Sequence, residues 1–350
     1  MLGEALSGAP DEGLKKFVHE LCSVLRSDHE LSLVSMSREA AWAGAERVAP
    51  SRTFVSAHLR RALARRDPDV LIYAARSSTT FMSFIRARLL RTYCPRARIV
   101  LLGLQPRHHS RLERRLIRML APDLVCVQTL RSRAYLERLG CSTMLLPSGV
   151  DLHKFRPATR EQRRALRRRH GVRVDAPVVL HVGHLQAGRS LSVLADLAAR
   201  GSCQVVLVSS TSLEQQTELA VQLRAAGVHV LTEYQPAIEQ LYQLADAYVF
   251  PVVSPNNAIE IPLSVLEAFA CDLAVASTRF GGLPRLFEGQ GCRGLRFVDS
   301  PAELVSAVEQ LGRSGEAGTR ALAEPYAWAN IAATLIERAF GTDDGCAAAA

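Results

Sequence analysis

Several things are missing from this chain of 350 residues. No run of 18 or more uncharged apolar residues occurs, so no membrane-spanning helix is expected. The N-terminal MLGEALSGAPDEG has neither the basic start nor the apolar core of a secretory signal. Eight cysteines, at 22, 94, 126, 141, 203, 271, 292 and 346, form no CxxC pair and have no histidine at zinc-site spacing. Reduced thiols in a cytosolic protein are expected, not a disulfide frame or a metal site. Aromatic residues are only 6% of the chain and few stand among its arginine runs, so single-stranded nucleic acid would find little to stack on. An opening strand is lacking too: residues 1–12 hold no apolar run, although a doubly wound domain usually starts with one. Either the first sheet lacks its central strand or the sequence starts late.

Acidic residues are scarce in one stretch. Between 51 and 118 there are 3 against 16 basic residues, all of them arginine. Residues 1–150 carry 24 Lys and Arg against 13 Asp and Glu, whereas 151–350 carry 19 against 21. The formal net charge of +9 therefore resides in the first half. Such a half suits an anionic membrane surface or a nucleic acid, or is simply an arginine-rich solvated face. No nucleic-acid-binding module is recognised in it.

What the chain does have is alternation. Short apolar runs at 29–36, 69–75, 97–104, 123–129 and 142–147 read as strands buried on both faces of a parallel sheet. Between them lie helical patterns, Leu14–Ser27, Thr53–Arg65, Thr80–Thr92, His108–Leu120 and Ser132–Leu139. After the connector PSGVDLHKFRP and a basic helix the pattern restarts, with strands at 176–183, 203–210, 228–233, 247–253, 273–278 and 294–298. The expected fold class is α/β: two Rossmann-like doubly wound domains facing each other across a cleft. The expected boundaries are 1–147, a linker at 148–158, a second domain at 159–323, a helix at 324–340 crossing back to the first domain, and a disordered tail at 341–350. Ligands of such sheets bind at the carboxyl ends of the strands.

The stretch NNAIEIPLSVLEAFAC, 256–271, sets two carboxylates, Glu260 and Glu267, around an apolar helix that Pro262 suits at its first turn. The free amides there, near Ile261, Pro262 and Leu263, would favour a phosphate oxygen. A carboxylate on either side is a strong acceptor for sugar hydroxyls, which points to a nucleotide-sugar. The alternative is a helix cap at Glu260 and an ordinary solvated residue at Glu267.

Tyr234–Pro284, together with PSGVDLHKFRP, HVGHLQAGR and APDLVCVQT, resembles the family-four retaining glycosyltransferases of GT-B fold. The resemblance runs in chain order over roughly residues 120–340. It implies that Glu267 holds the ribose hydroxyls. The residue that contacts the donor sugar stands eight positions earlier in that family, where this chain has Ile259, with Glu260 displaced by one. Either Glu260 reaches the sugar from a shifted loop, or backbone groups of Ala258 to Ile261 replace it. The basic pair that neutralises the donor diphosphate falls on Arg189 and His184, the latter a weaker and pH-dependent cation. Gly183, Gly281 and Gly282 would allow close backbone approach to the phosphates. A histidine of the first domain that lies near the donor sugar has no counterpart here, and Gln105 stands roughly in its place.

The resemblance thus implies a metal-independent retaining glycosyltransferase with a nucleotide-sugar donor, no cofactor, and a glycan or glycolipid acceptor, possible partner surfaces being anionic membranes and not nucleic acid. The expected location is the cytoplasm, peripheral on the inner face of the membrane. Glu260 and Gln105 are the candidate catalytic residues. The alternative is a degenerate nucleotide-sugar-binding protein without transfer activity. DPD at Asp67–Asp69 reads as a turn before a strand, and His108–His109 has no Cys or carboxylate partner at ligand spacing, so no metal site is expected.

Overall fold

The computed structural model describes residues 1–4, 6–212, 216–311 and 317–341. The predicted tail at 341–350 falls outside them apart from Gly341. The contacts divide the chain into two compact units: Met1–Gly8 with Leu14–Pro147 and the chain from Trp328, and Ala9–Gly13 with Ser148–Ala327.

The first unit is built on a seven-stranded parallel sheet in the order β3-β2-β1-β4-β5-β6-β7. Its strands are β1 (Leu2–Gly3), β2 (Leu33–Ser35), β3 (Ala45–Arg47), β4 (Val70–Ala74), β5 (Arg98–Gly103), β6 (Leu124–Val127) and β7 (Thr143–Leu145). The expectation of a missing opening strand is corrected. β1 lies inside the sheet, pairing Leu2 with Val34 of β2 and with Tyr73 of β4. Two residues are too few to show any periodicity, and neighbours on both sides are what fix them as a strand. The N-terminal ammonium donates to Ser32 O at 2.5 Å, and its burial pulls its pKa down to about 6. The edge strand β3 escaped the sequence reading because its residues, Ala45, Glu46 and Arg47, form no apolar run.

Leu71, Tyr73, Ile99, Leu101, Val125 and Val127 of the middle strands share one core with Phe84 and Leu90 of helix Phe81–Tyr93 and Ile117 of helix Arg111–Leu120. The last described helix, Trp328–Phe340, belongs to this unit, and Trp328 meets Phe17 edge-on at 5.1 Å.

The second unit repeats the plan with six parallel strands ordered β10-β9-β8-β11-β12-β13. These are β8 (Val178–Gly183), β9 (Gln204–Ser209), β10 (His229–Leu231), β11 (Ala247–Phe250), β12 (Ala274–Thr278) and β13 (Leu295–Val298). Alternate side chains enter opposite cores, as the period of two requires. Val178, Leu180, Tyr248, Phe250 and Val275 enter one, and Val179, Val205, Ala247, Val249 and Ala276 the other.

Two stretches differ from the expected boundaries. The predicted linker 148–158 is part of the second unit, where Ser148 Oγ donates to Ile261 O at 2.6 Å and Val150 N to Tyr326 O at 2.8 Å. Residues 9–13 also count with the second unit. The Asp11 carboxylate accepts from Ser210 Oγ at 3.2 Å, from Thr211 N and Oγ1 at 2.6 Å each, and from Ser212 Oγ.

Candidate active site

The strand order of the second sheet reverses between β8 and β11, so their outgoing loops diverge and leave room at the carboxyl edge. Every candidate residue of the second unit comes from a loop or helix leaving that edge. β8 ends at Gly183 and leads through His184 into a single turn, Ala187–Arg189. β11 leads through 251–262 into helix Leu263–Ala270, and β12 leads to Phe280, Gly281 and Gly282.

Helix Leu263–Ala270 starts without a side-chain cap. Pro262, predicted within the first turn, is instead the residue before it, extended at φ −63° and ψ 125°. No polar side chain competes for the first amides, which keeps the positive end of the helix available to an anion. The helix is buried nearly all round, with Leu263, Val265, Leu266 and Phe269 among its buried residues.

Glu267, on the second turn, is 3% exposed, which excludes the reading of an ordinary solvated residue. Its Oε2 accepts from the Tyr242 hydroxyl at 2.8 Å. Tyr242 is fully buried on helix Ile238–Leu244, and burial together with the adjacent Glu267 charge drives its pKa well up, so it stays a donor. Its ring stacks on Tyr248 at 5.9 Å. Tyr248 in turn donates to Val182 O at 3.3 Å and bonds Ser264 in the first turn of the helix. A buried aromatic pair therefore ties the acid-bearing helix to the end of β8.

Arg189 is 4% exposed. Its Nη1 donates to Asn257 O, while Asn257 Nδ2 donates to Gly188 O at 2.5 Å, which clasps the turn to the 254–257 loop. Burial lowers the Arg189 pKa to about 10, still far above neutrality, so the site holds a full positive charge. Gly183 makes that position possible. A Cβ there would lie 2.7 Å from Arg189 Nη2 and 3.1 Å from His181 Nε2.

Burial and the Arg189 charge bring the His184 pKa down to about 4 against the opposing pull of Asp11, so in the free chain this pH-dependent group is neutral at pH 7. Sequence reasoning passed over His181, whose Nδ1 lies 2.8 Å from Val249 O and whose pKa falls to about 3 by burial and the Arg189 charge. The HVGH spacing was its only visible signal. Arg189 Nε, His181 Nε2 and His184 Nδ1 are all withdrawn from solvent with no hydrogen-bond partner among the described residues. Buried polar atoms normally find partners. His181 Nδ1 faces a carbonyl and so carries the ring proton, which makes Nε2 an acceptor, whereas Arg189 Nε–H is a donor that a ligand's oxygen would complete.

Glu260 is 5% exposed, not at the surface. Its carbonyl accepts from Gly282 N at 2.9 Å. Gly281, at φ +54°, packs so tightly that a Cβ would come within 2.1 Å of the same carbonyl. The Gly281–Gly282 turn and the Glu260 backbone are thus locked together. Ile261 points into the core and Ile259 is 6% exposed, so neither side chain is free to face a ligand. Gln105 lies on the first unit, where its Oε1 accepts from Arg107 Nη2 at 2.8 Å.

Residues 176–314 match the model of Glycosyl transferases group 1. This segment belongs to the group 1 glycosyltransferases. The group 1 segment contains every second-unit candidate named above. A D-inositol 3-phosphate glycosyltransferase of Geodermatophilus obscurus is 31% identical over 215 residues, covering 55% of this chain and 46% of that protein. A GDP-mannose-dependent monoacylated alpha-(1-6)-phosphatidylinositol monomannoside mannosyltransferase of Corynebacterium glutamicum is 30% identical over 149 residues, 40% of this chain and 39% of that one. The chain spans about half the length, or less, of the curated relatives it matches. Among solved structures, Anabaena HepE in complex with UDP superposes with a TM-score of 0.74 at 17% identity, over 96% of this chain and 98% of that one. WaaG, a glycosyltransferase involved in lipopolysaccharide biosynthesis, gives 0.63 at 14% identity over 97% and 100%. Likeness at such identities shows the fold alone, and the fold is the two-sheet α/β arrangement of GT-B glycosyltransferases.

Proposed function

We propose that this protein transfers a sugar from a nucleotide-sugar to an acceptor with retention of configuration. The observation that carries the reading is the buried Arg189 guanidinium packed on Gly183, its Nε without a hydrogen-bond partner among the described residues, together with a helix start that has no side-chain cap. In this reading Arg189, the amides before Leu263 and the turn at Gly281–Gly282 take up the charge that develops on the departing diphosphate. Aimed at a leaving group, one such contact contributes about 10²–10³ in rate. Glu267, oriented by Tyr242, accepts from the ribose hydroxyls, and Glu260 or its neighbouring backbone meets the donor sugar. Arg189 supplies the positive charge that a metal provides elsewhere, so the proposed transfer runs without a metal ion. Attack from the face the leaving group departs fits a site whose charge is concentrated on the diphosphate. Anabaena HepE has been crystallised with UDP-glucose, and the Corynebacterium relative is GDP-mannose-dependent, which supports a nucleotide-sugar as donor.

Helix Arg111–Leu120 favours an acceptor presented at an anionic membrane surface. Leu112 and Met119 are 67% and 75% exposed, with Arg111, Arg115 and Arg118 flanking them. An apolar stripe edged by arginines suits the headgroup boundary, and this supports a location at the inner face of the membrane. The displaced Glu260 favours a second reading, a nucleotide-sugar-binding protein that performs no transfer.

Thermal shift with UDP-, GDP- and ADP-sugars, with and without Mg²⁺, tests the proposal. One class should raise the melting temperature without metal, and Glu267→Gln and Arg189→Met should each abolish the gain. An unchanged gain in both variants would overturn the site. Donor binding without turnover on any membrane extract would favour the second reading.

A further inference from the structure

A short acidic segment crosses the outlet of β8. Ala9–Gly13, the stretch APDEG, counts with the second unit and carries two carboxylates, Asp11 and Glu12. Two contacts hold it. In the first, Asp11 accepts from Ser210 Oγ, from Thr211 N and Oγ1, and from Ser212 Oγ, all in the loop that leaves β9. In the second, Gly13 packs on Ile259 in the loop that leaves β11, so closely that a Cβ at position 13 would lie 3.3 Å from Ile259 Cγ2. β8 stands between β9 and β11 in the sheet. The segment is therefore a strap across the end of β8, where Gly183 and His184 lie.

The link to that end is direct. Ser210 N donates to Gly183 O at 3.3 Å, while the Ser210 hydroxyl donates to Asp11 at 3.2 Å. The Asp11 charge also reaches His184, whose pKa it acts to raise. An anion approaching Gly183 thus meets a fixed negative charge as well as the strap itself. Like charges at close range repel, the more so once a ligand has displaced the water between them. The strap is also built to give way. None of its five residues is buried, and glycines stand at both ends, Gly8 at φ +67° and Gly13.

We propose that the strap Ala9–Gly13 is a gate on the donor site, shut in the free chain by the hold of Asp11 on Ser210, Thr211 and Ser212, and displaced by the diphosphate of the donor. The proposal rests on the donor-site reading. A gate that must open before the ligand enters lowers the apparent affinity in proportion to the fraction of chains that are open. The sign of the effect separates a gate from a support. Loosening a support weakens binding, whereas loosening a gate tightens it.

Calorimetric titration of the intact chain with UDP, GDP and ADP tests the sign. Asp11→Asn keeps the shape of the side chain and removes its charge. It should bind the nucleotide that the wild-type chain binds more tightly, by about threefold or more, as expected when the open fraction rises. Thr211→Val removes one hydroxyl bond to Asp11 and leaves the charge in place. It should shift affinity in the same direction, and it decides the matter if circular dichroism shows Asp11→Asn to be unfolded. Digestion with a glutamyl endopeptidase, which cuts after Glu12, gives a second readout. Saturating nucleotide should speed that cut in the wild-type chain. Equal or weaker nucleotide affinity in the folded variant, or protection of Glu12 by nucleotide, would overturn the gate and leave the donor site standing, since nucleotide still binds. Failure of all three nucleotides to bind the wild-type chain and both variants would sink the donor-site reading and the gate with it.

Discussion

The hydroxyl of Tyr242 donates to Glu267 Oε2 across 2.8 Å, and both residues are withdrawn from solvent. A carboxylate so deep in a core needs at least one strong donor, because an unmatched buried charge costs several kcal/mol. The bond also fixes the carboxylate's rotation, and a sugar diol needs that orientation to be constant. Tyr242→Phe should therefore lower folding stability by about 1.5–3 kcal/mol, the worth of a hydrogen bond to a charged group. Donor-nucleotide affinity should fall with it. Urea unfolding and calorimetric titration check the two effects separately, and a stability loss with unchanged affinity would limit Tyr242 to a structural part.

The two glycines of the site should respond differently to the same change. In Gly183→Ala the new methyl meets the tip of the Arg189 side chain at 2.7 Å, and that tip can swing away. Folding should survive while the guanidinium is displaced, so nucleotide binding should drop about tenfold or more with only a small change in melting temperature. In Gly281→Ala the methyl meets the Glu260 carbonyl at 2.1 Å on a backbone at φ +54°. Neither partner can move cheaply. That variant should lose about 1–3 kcal/mol of stability, or more once the clash is included. Melting curves and nucleotide titrations of both variants separate the cases.

Much of this was legible in the sequence, and the failures share a cause. The strands of the second sheet were visible because runs such as APVVLHVG are buried on both faces and stay apolar throughout. β1 was not visible, because Leu2 and Gly3 become a strand only through β2 and β4, which arrive more than 30 and nearly 70 residues later. The resemblance singled out Glu267, Arg189 and Gly183, and the fold sets all three at or beside one sheet edge. The protonation state of His184 was not legible, since it depends on burial and on the charge of Arg189 beside it. Tyr242 read as an ordinary helical aromatic, and nothing local announces that its hydroxyl meets a carboxylate 25 residues on.

Acid should weaken the second unit through His181 and His184. The pKa values of His181 and His184 fall to about 3 and about 4 in the folded chain, against an ordinary value near 6.5. Between those values and 6.5 the unfolded chain binds more protons than the folded one, so stability rises with pH across that window and levels off above it. His181→Phe keeps an aromatic ring beside Tyr248, on which His181 stacks at 6.2 Å. The variant should flatten the slope of unfolding free energy between about pH 4 and 6.5. Chemical denaturation at a series of pH values measures that slope, and an unchanged one would remove His181 as its source.

Asp11 should contribute with the same sign by a different route. Burial acts to raise its pKa, but hydrogen bonds from Ser212, Thr211 and Ser210 outweigh it and hold the carboxyl below its ordinary value. A depressed folded pKa means stabilisation that is complete above the unfolded value near 3.8 and is lost as pH falls through the folded one. At neutral pH the carboxylate therefore pins residues 9–13 to the loop after β9. Asp11→Ala leaves those three side chains and the Thr211 amide without their acceptor. The cost should be about 1–3 kcal/mol at pH 7. Because the lost contacts anchor one short segment, the first consequence should be local. Limited proteolysis should cut the variant near Pro10–Glu12 well before the wild-type chain, while the two sheets keep their amide protection. Uniformly faster exchange throughout both sheets would show instead that Asp11 supports the fold as a whole.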